Sequence, residues 1–185
     1  MSRYAAFLRG MNVGGHRLTN KELCAHFEAM GFAQVATFRA SGNVVFAAAE
    51  HDADRGSEER LQTRIEQALE RELGYAVPTF LRSHAEVRAI AAAQPFAAER
   101  VQSSAGKLQV LLLAGNPSKR VQTEVLALAS EDDALAFAER ELYWLPSGGL
   151  LESALDLKAI DRLLGAGTMR TKGTLEQIAA KHCAE

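Results

Sequence analysis

Tyr4-Ala5-Ala6-Phe7-Leu8-Arg9-Gly10-Met11-Asn12-Val13-Gly14-Gly15 is a short apolar run that breaks directly into a glycine and asparagine turn. Such a run, closed by turn residues, reads as a buried strand. A second junction of the same kind is Arg39-Ala40-Ser41-Gly42-Asn43, which leads into Val44-Val45-Phe46. Glycine and asparagine tolerate left-handed backbone angles and let other groups approach the main chain closely. The two junctions therefore fix where strands end and begin, and they gather backbone amides, arginine and small polar side chains.

The residues between and after them supply the remaining elements of the first half. Thr19-Asn20-Lys21-Glu22 is a capping box, with Leu23, Phe27 and Met30 at helical spacing behind it and Gly31 to end the helix. Gln34 to Phe38 and Val44 to Phe46 read as the strands of a hairpin. Ala47 to Gly56 reads as a polar loop. Ser57 then opens a helix with Leu61, Ile65, Ala68 and Leu69 on one face and Gly74 beyond its end. Val77 to Leu81 follows as a strand, and Pro78 puts it at a sheet edge. The order is β-α-β-β-α-β.

The second half has the same rhythm. Ser83-His84-Ala85-Glu86 caps a connecting helix that stops near Gln94-Pro95, and Arg100 to Gly106 reads as a polar connection. Leu108 to Leu113 is a strand, Ala114-Gly115-Asn116-Pro117 a turn, and Val121, Val125 and Leu128 mark a helix. Asp133 to Phe137 and Leu142 to Leu145 are two more strands, followed by the loop Pro146-Ser147-Gly148-Gly149. Leu157, Ile160 and Leu164 lie on a helix closed by Gly165, and Thr174-Leu175-Glu176-Gln177 is read as the cap of a final helix. Thr168-Met169-Arg170 is the candidate for the last strand. Split β-α-β units in this order make ferredoxin-like plaits. The expected fold is α+β: two alpha-beta plaits, residues 1–82 and 83–185, the second including the connecting and terminal helices.

Composition narrows the function classes. The 185 residues are 48% hydrophobic and 24% charged, which argues against disorder, and the net charge of -2 lacks the basic excess of a nucleic-acid wrapper. No apolar run is long enough to cross a bilayer and no secretory core follows Met1, so a cytoplasmic protein without a membrane partner is expected. Cys24 and Cys183 then read as reduced thiols. Cys24-Ala25-His26 and His182-Cys183 lack metal-ligand spacing, the second pair sitting where the chain is expected to fray, so neither metal nor cofactor is expected. Glu58-Glu59 and Asp132-Asp133 read as element starts, and Arg162, Arg170, Lys172 and Lys181 as a solvated basic face.

The run Phe7-Leu8-Arg9-Gly10-Met11-Asn12-Val13-Gly14-Gly15, with Ser41-Gly42-Asn43-Val44-Val45-Phe46 downstream, resembles the bacterial domain-of-unknown-function family 1697. Gln94-Pro95-Phe96 resembles that family's Asn-Pro-Phe, and Glu141-Leu142-Tyr143 its third motif. Thr168-Met169-Arg170 through Thr174 resembles its Thr-x-Arg-Asn-Trp-x-Thr. The resemblance implies two plait subdomains and no activity. Ala40 stands where relatives often carry glutamine, Thr171 and Lys172 where they carry Asn-Trp, and Ala154 where a lysine is frequent.

The glycine-rich turns carry the leading functional reading. Successive amides in such turns form a nest for a phosphate or carboxylate, and arginine adds charge-assisted bonds. The glycine spacing is neither a dinucleotide fingerprint nor a P-loop. The expected ligand is a small anion, and the candidate binding residues are Arg9, Asn12, Gly14, Gly15, Arg39, Ser41, Gly42, Asn43 and Arg170. One alternative is a hydrolase or transferase using Ser41 or a histidine such as His16, His26 or His84. Another is a nucleic-acid module using Phe38, Phe46, Phe80, Tyr143 and Trp144 on an open plait sheet, though no RNP-like sequence surrounds them. The same aromatics read as core, and Asn12 as a residue bonded to nearby main chain, while Asn43 reads as part of an ordinary hairpin turn.

Overall fold

A computed structural model describes residues 1–11, 18–39, 42–49 and 57–183. The first half contains β1 (Ser2–Leu8), α1 (Asn20–Ala29), β2 (Ala33–Thr37), β3 (Asn43–Ala48), α2 (Ser57–Leu73), β4 (Thr79–Ser83) and α3 (His84–Ala92). The second contains α4 (Ala98–Ser103), β5 (Gln109–Leu113), α5 (Lys119–Leu126), β6 (Asp133–Ala138), β7 (Glu141–Pro146), α6 (Leu157–Leu164), β8 (Gly167–Thr171) and α7 (Lys172–His182). The strands form two four-stranded antiparallel sheets, ordered β2-β3-β1-β4 and β6-β7-β5-β8, so the α+β two-plait expectation holds. The chain divides into two compact units, Met1–Arg88 with Ile178–Glu185, and Ala89–Gln177. The sequence reading drew its boundary at 82 and 83 and kept the last helix wholly with the second half.

In the first unit, alternate strand residues decide which side the helices cover. Tyr4, Ala6 and Leu8 of β1, Val44 and Phe46 of β3 and Leu81 of β4 pack with Leu23 and Phe27 of α1 and with Leu61, Ile65 and Leu69 of α2. Phe46 sits at the centre, its ring 4.5 Å from Phe32, 5.3 Å from Phe27 and 5.9 Å from Tyr4 between centroids. The intervening residues Ala5, Phe7, Val45, Ala47, Phe80 and Arg82 are also buried. A sheet hidden on both faces needs near-continuous apolar strands, as Tyr4 to Leu8 and Val44 to Ala48 are. In the second unit Val125 of α5, Leu142 of β7 and Ile160 of α6 make the core, with Leu111, Leu135 and Phe137 partly buried against it.

The structure departs from the sequence reading most at three places. β4 starts at Thr79 and reaches Ser83, because Pro78 has no amide to give the ladder. A short helix, α4, overlaps the stretch read as a polar connection; it buries no side chain, so no apolar period marked it. The final helix starts at Lys172, and its cap is Thr171, whose hydroxyl accepts the Thr174 amide at 3.2 Å. The two other boxes form as read. Thr19 and Glu22 exchange bonds of 2.8 and 3.2 Å, and Ser83 and Glu86 bonds of 2.7 and 3.2 Å.

The repeat extends to single bonds. The Leu8 amide donates to the Gly42 carbonyl at 2.8 Å, and the Leu113 amide to the Arg140 carbonyl at 3.0 Å, at the same point of each central strand. On that alignment Ala5 faces Arg82 and Val110 faces Arg170. Each of these arginines donates through Nη1 to the carbonyl just before it, Leu81 at 2.7 Å and Met169 at 2.8 Å. Gly115 aligns with Gly10 but lacks its left-handed backbone, so the second turn copies the letters and not the conformation.

Gly42 combines φ +68° with a crowded site: an added Cβ would lie 3.1 Å from Leu8 Cβ and 3.3 Å from the Leu8 carbonyl oxygen. Urea unfolding of Gly42→Ala is expected to show a loss of about 2 kcal/mol, from left-handed strain plus crowding. Gly115→Ala, where a Cβ meets nothing within 4 Å, is expected to stay within about 0.5 kcal/mol of the parent.

Candidate functional site

All four strands of the first sheet present a loop at one end, β4 entering there after Pro78. β1 leaves through Arg9 and Gly10, β2 through Phe38 and Arg39, and β3 enters through Gly42. Two main-chain bonds hold that end together: Leu8 to Gly42, and the Arg9 amide to the Pro78 carbonyl at 2.9 Å. Gly10 takes φ +71° and Gly42 φ +68°, so both turns need a residue without a side chain. Arg39 adopts φ +58°, an uncommon state for a residue with a Cβ, and its guanidinium carbon lies 5.6 Å from the centre of the Phe38 ring. Asn12, Gly14, Gly15 and Ser41, together with His16, Arg17 and Ala40, lie outside the described residues.

Asn43 is 1% exposed, and its side-chain nitrogen donates to the Phe38 carbonyl at 3.0 Å. The Phe38 amide returns a bond to the Asn43 carbonyl at 3.0 Å, so Asn43 closes the hairpin from inside. Arg170 lies on β8 in the second unit. Its Nη1 donates to Thr168 Oγ1 and to the Met169 carbonyl, both at 2.8 Å, and burial pulls its guanidinium down to about 10. Arg170 and Lys172 therefore do not belong to a solvated face. Lys172 keeps only 13% of its side chain exposed and donates to the Ala91 carbonyl at 2.7 Å and to Glu176 at 2.5 Å.

The aromatics weighed for base stacking are mostly interior. Phe46, Phe80, Tyr143 and Trp144 are buried, and Phe38 is half-buried. Among the described residues no group of three or more His, Cys, Asp or Glu side chains could hold a metal, and no helix is long and apolar enough to cross a membrane. A groove of about 400 Å³ on α1 and α2 is lined by His26, Met30, Arg64, Arg71 and Glu72. Arg64 closes its floor, lying 5.0 Å over the Phe32 ring and donating to the Met30 carbonyl.

A cavity of about 220 Å³ in the second unit was not visible in the sequence. The loop after β7 and the start of β6 line it with Ser130, Asp132, Asp133, Ser147, Glu152 and Ala154. Asp133 is 2% exposed, and one carboxylate oxygen accepts both Trp144 Nε1 and Ser153 Oγ at 2.7 Å. Its amide takes a third bond, to Ser130 Oγ at 3.0 Å. Asp132 accepts Ser147 Oγ at 3.1 Å, and Glu152 accepts the Gly149 amide at 3.1 Å. These carboxylates hold the loop Pro146–Gly149 against β6. Ala154 is exposed at the rim.

The family model described as Protein of unknown function (DUF1697) matches residues 1–143. No curated protein matches the chain. A solved structure of a conserved bacterial protein, SP0830, from Streptococcus pneumoniae is similar, with 23% sequence identity, 97% of each chain covered and a TM-score of 0.72. That likeness extends the α+β, two-subdomain fold to both molecules.

Trp144 is the single tryptophan of the chain, so its emission reports on the Asp133 network directly. Asp133→Ala leaves a buried indole N–H and the Ser153 hydroxyl without their acceptor. It is expected to lower stability by about 2–3 kcal/mol in urea unfolding and to change the native tryptophan emission.

Proposed function

The chain belongs to the family of proteins of unknown function DUF1697, and from its own residues we propose that it is a module binding a small anion, a phosphate or carboxylate, at the N-terminal glycine and asparagine loops. The observation that carries this reading is the Leu8 to Gly42 bond. It joins the two loops at one sheet end, where Arg9 and Arg39 both leave the sheet. Arginine brings a fixed fork of N–H donors suited to oxyanions, and left-handed glycines turn main-chain amides outward. The strained backbone of Arg39 supports the reading too, since such strain persists where the surroundings hold a residue for a purpose. Asn12, Gly14, Gly15 and Ser41 belong to the proposed binding set and lie outside the described residues. Asn43 serves it by shaping the turn from inside.

The test is a phosphate titration of the ¹⁵N-labelled full chain, with sodium chloride at matched ionic strength as the control. Saturable shifts are expected at the Arg9, Gly10 and Gly42 amides, with a dissociation constant in the millimolar range or tighter. The double variant Arg9→Ala, Arg39→Ala is expected to weaken binding at least about tenfold, near 1.4 kcal/mol. Shifts spread evenly over surface lysines and arginines, or unchanged in the double variant, would overturn the proposal.

A further inference from the structure

His84 and His182 meet in the first unit, from the first residue of α3 and the last of α7. Nε2 of each ring is enclosed by protein and has no hydrogen-bond partner among the described residues. The His182 and Phe38 rings pack edge to face, with centroids 6.2 Å apart at 81°. One residue on, Cys183 is fully buried, and its carbonyl accepts Arg88 Nη1 at 2.9 Å. The segment read as a fraying end is thus fastened at two consecutive residues.

Among the described residues, the charged groups that bear on these rings share one sign. Arg3 reaches His84 from β1, Arg88 from α3 and His182 from α7, while Lys181 flanks His182. Glu86, two residues from His84, is committed to capping Ser83, with bonds of 2.7 Å to the amide and 2.8 Å to the hydroxyl. A neutral imidazole can leave one nitrogen as an enclosed acceptor. An imidazolium must donate from both, and here its Nε2 would do so with no acceptor among the described residues and beside cations.

We propose that Ile178–Cys183 is an acid-released strap: protonation of His84 and His182 sets the two rings against each other and against Arg3, Arg88 and Lys181, and frees the strap from the first unit. Burial is the larger cause, and the neighbouring cations the second, that holds both rings below the ordinary histidine value of about 6.5. The bond between His84 and the Tyr4 backbone pulls the other way. A detached strap lets both rings titrate near the ordinary value. The detached state then binds more protons below about 6.5, so docking is complete above that pH and weakens as pH falls through it.

Cys183 reports on the strap, because its thiol is closed off when the strap is docked and burial pushes it up to about 11. In a Cys24→Ser background, its rate of modification by 4,4′-dithiodipyridine is measured from pH 7.5 to 5 and divided by that of glutathione. A rise of at least about fivefold is expected, and a flat profile in the His84→Gln, His182→Gln double variant. Amide exchange of the unmutated chain provides the second reading. Protection is expected to fall over 178–183 while α2 keeps its own. A flat profile in the parent, an equal rise in the double variant, or loss of protection in α2 together with the strap would overturn the proposal.

Discussion

A strand paired on both edges and covered on both faces has no surface left for a polar side chain, and β1 meets that constraint with Tyr4, Ala5, Ala6, Phe7 and Leu8 all buried. Its two ladders fix the register of β3 and β4. The register decides that Val44, Phe46 and Leu81 turn toward α1 and α2, and a slip by one residue would point Phe46 away from Phe27 and Phe32. The small Ala5 and Ala6 let the neighbouring strands carry the bulk. The same ladders deliver Arg9, Gly10 and Gly42 to one sheet end, so the candidate anion site follows from the pairing of a single strand.

Most of the fold was legible because its signals are local. Capping boxes span four residues, and glycine punctuation marks the hairpin and the ends of α1 and α6. What escaped lacked a local signal. α4 buries nothing, so no periodicity announced it. The Asp133 network joins residues eleven and twenty positions apart, a distance at which no spacing rule distinguishes a buried acceptor from an acid that opens a strand. His182 and Cys183 were read as fraying because nothing in their own letters tells of Arg88 or Phe38. At the candidate site the turn chemistry was legible and the division of labour was not. Asn43 carries the same letter as a ligand residue and is occupied by Phe38.

The two plaits share an unusual choice at equivalent places. Arg82 and Arg170 each lie on the last strand, and Arg82 is 0% exposed. A buried guanidinium is tolerated when its donors find acceptors, and in both units the preceding carbonyl is one of them. Ser83 and Thr171, the next residues, end the strand and cap the following helix. The arginine, the hydroxyl residue and the helix start form one repeated device at the exit of each sheet, carried by a single matching letter.

The first compact unit is closed by residues that follow the whole of Ala89–Gln177 along the chain. Synthesis is vectorial, so the N-terminal plait emerges from the ribosome with Phe38 and Arg88 uncovered and waits for the entire second plait before Ile178–Cys183 arrives. The two plaits therefore mature as a nested pair, the second finishing inside the interval during which the first is still incomplete.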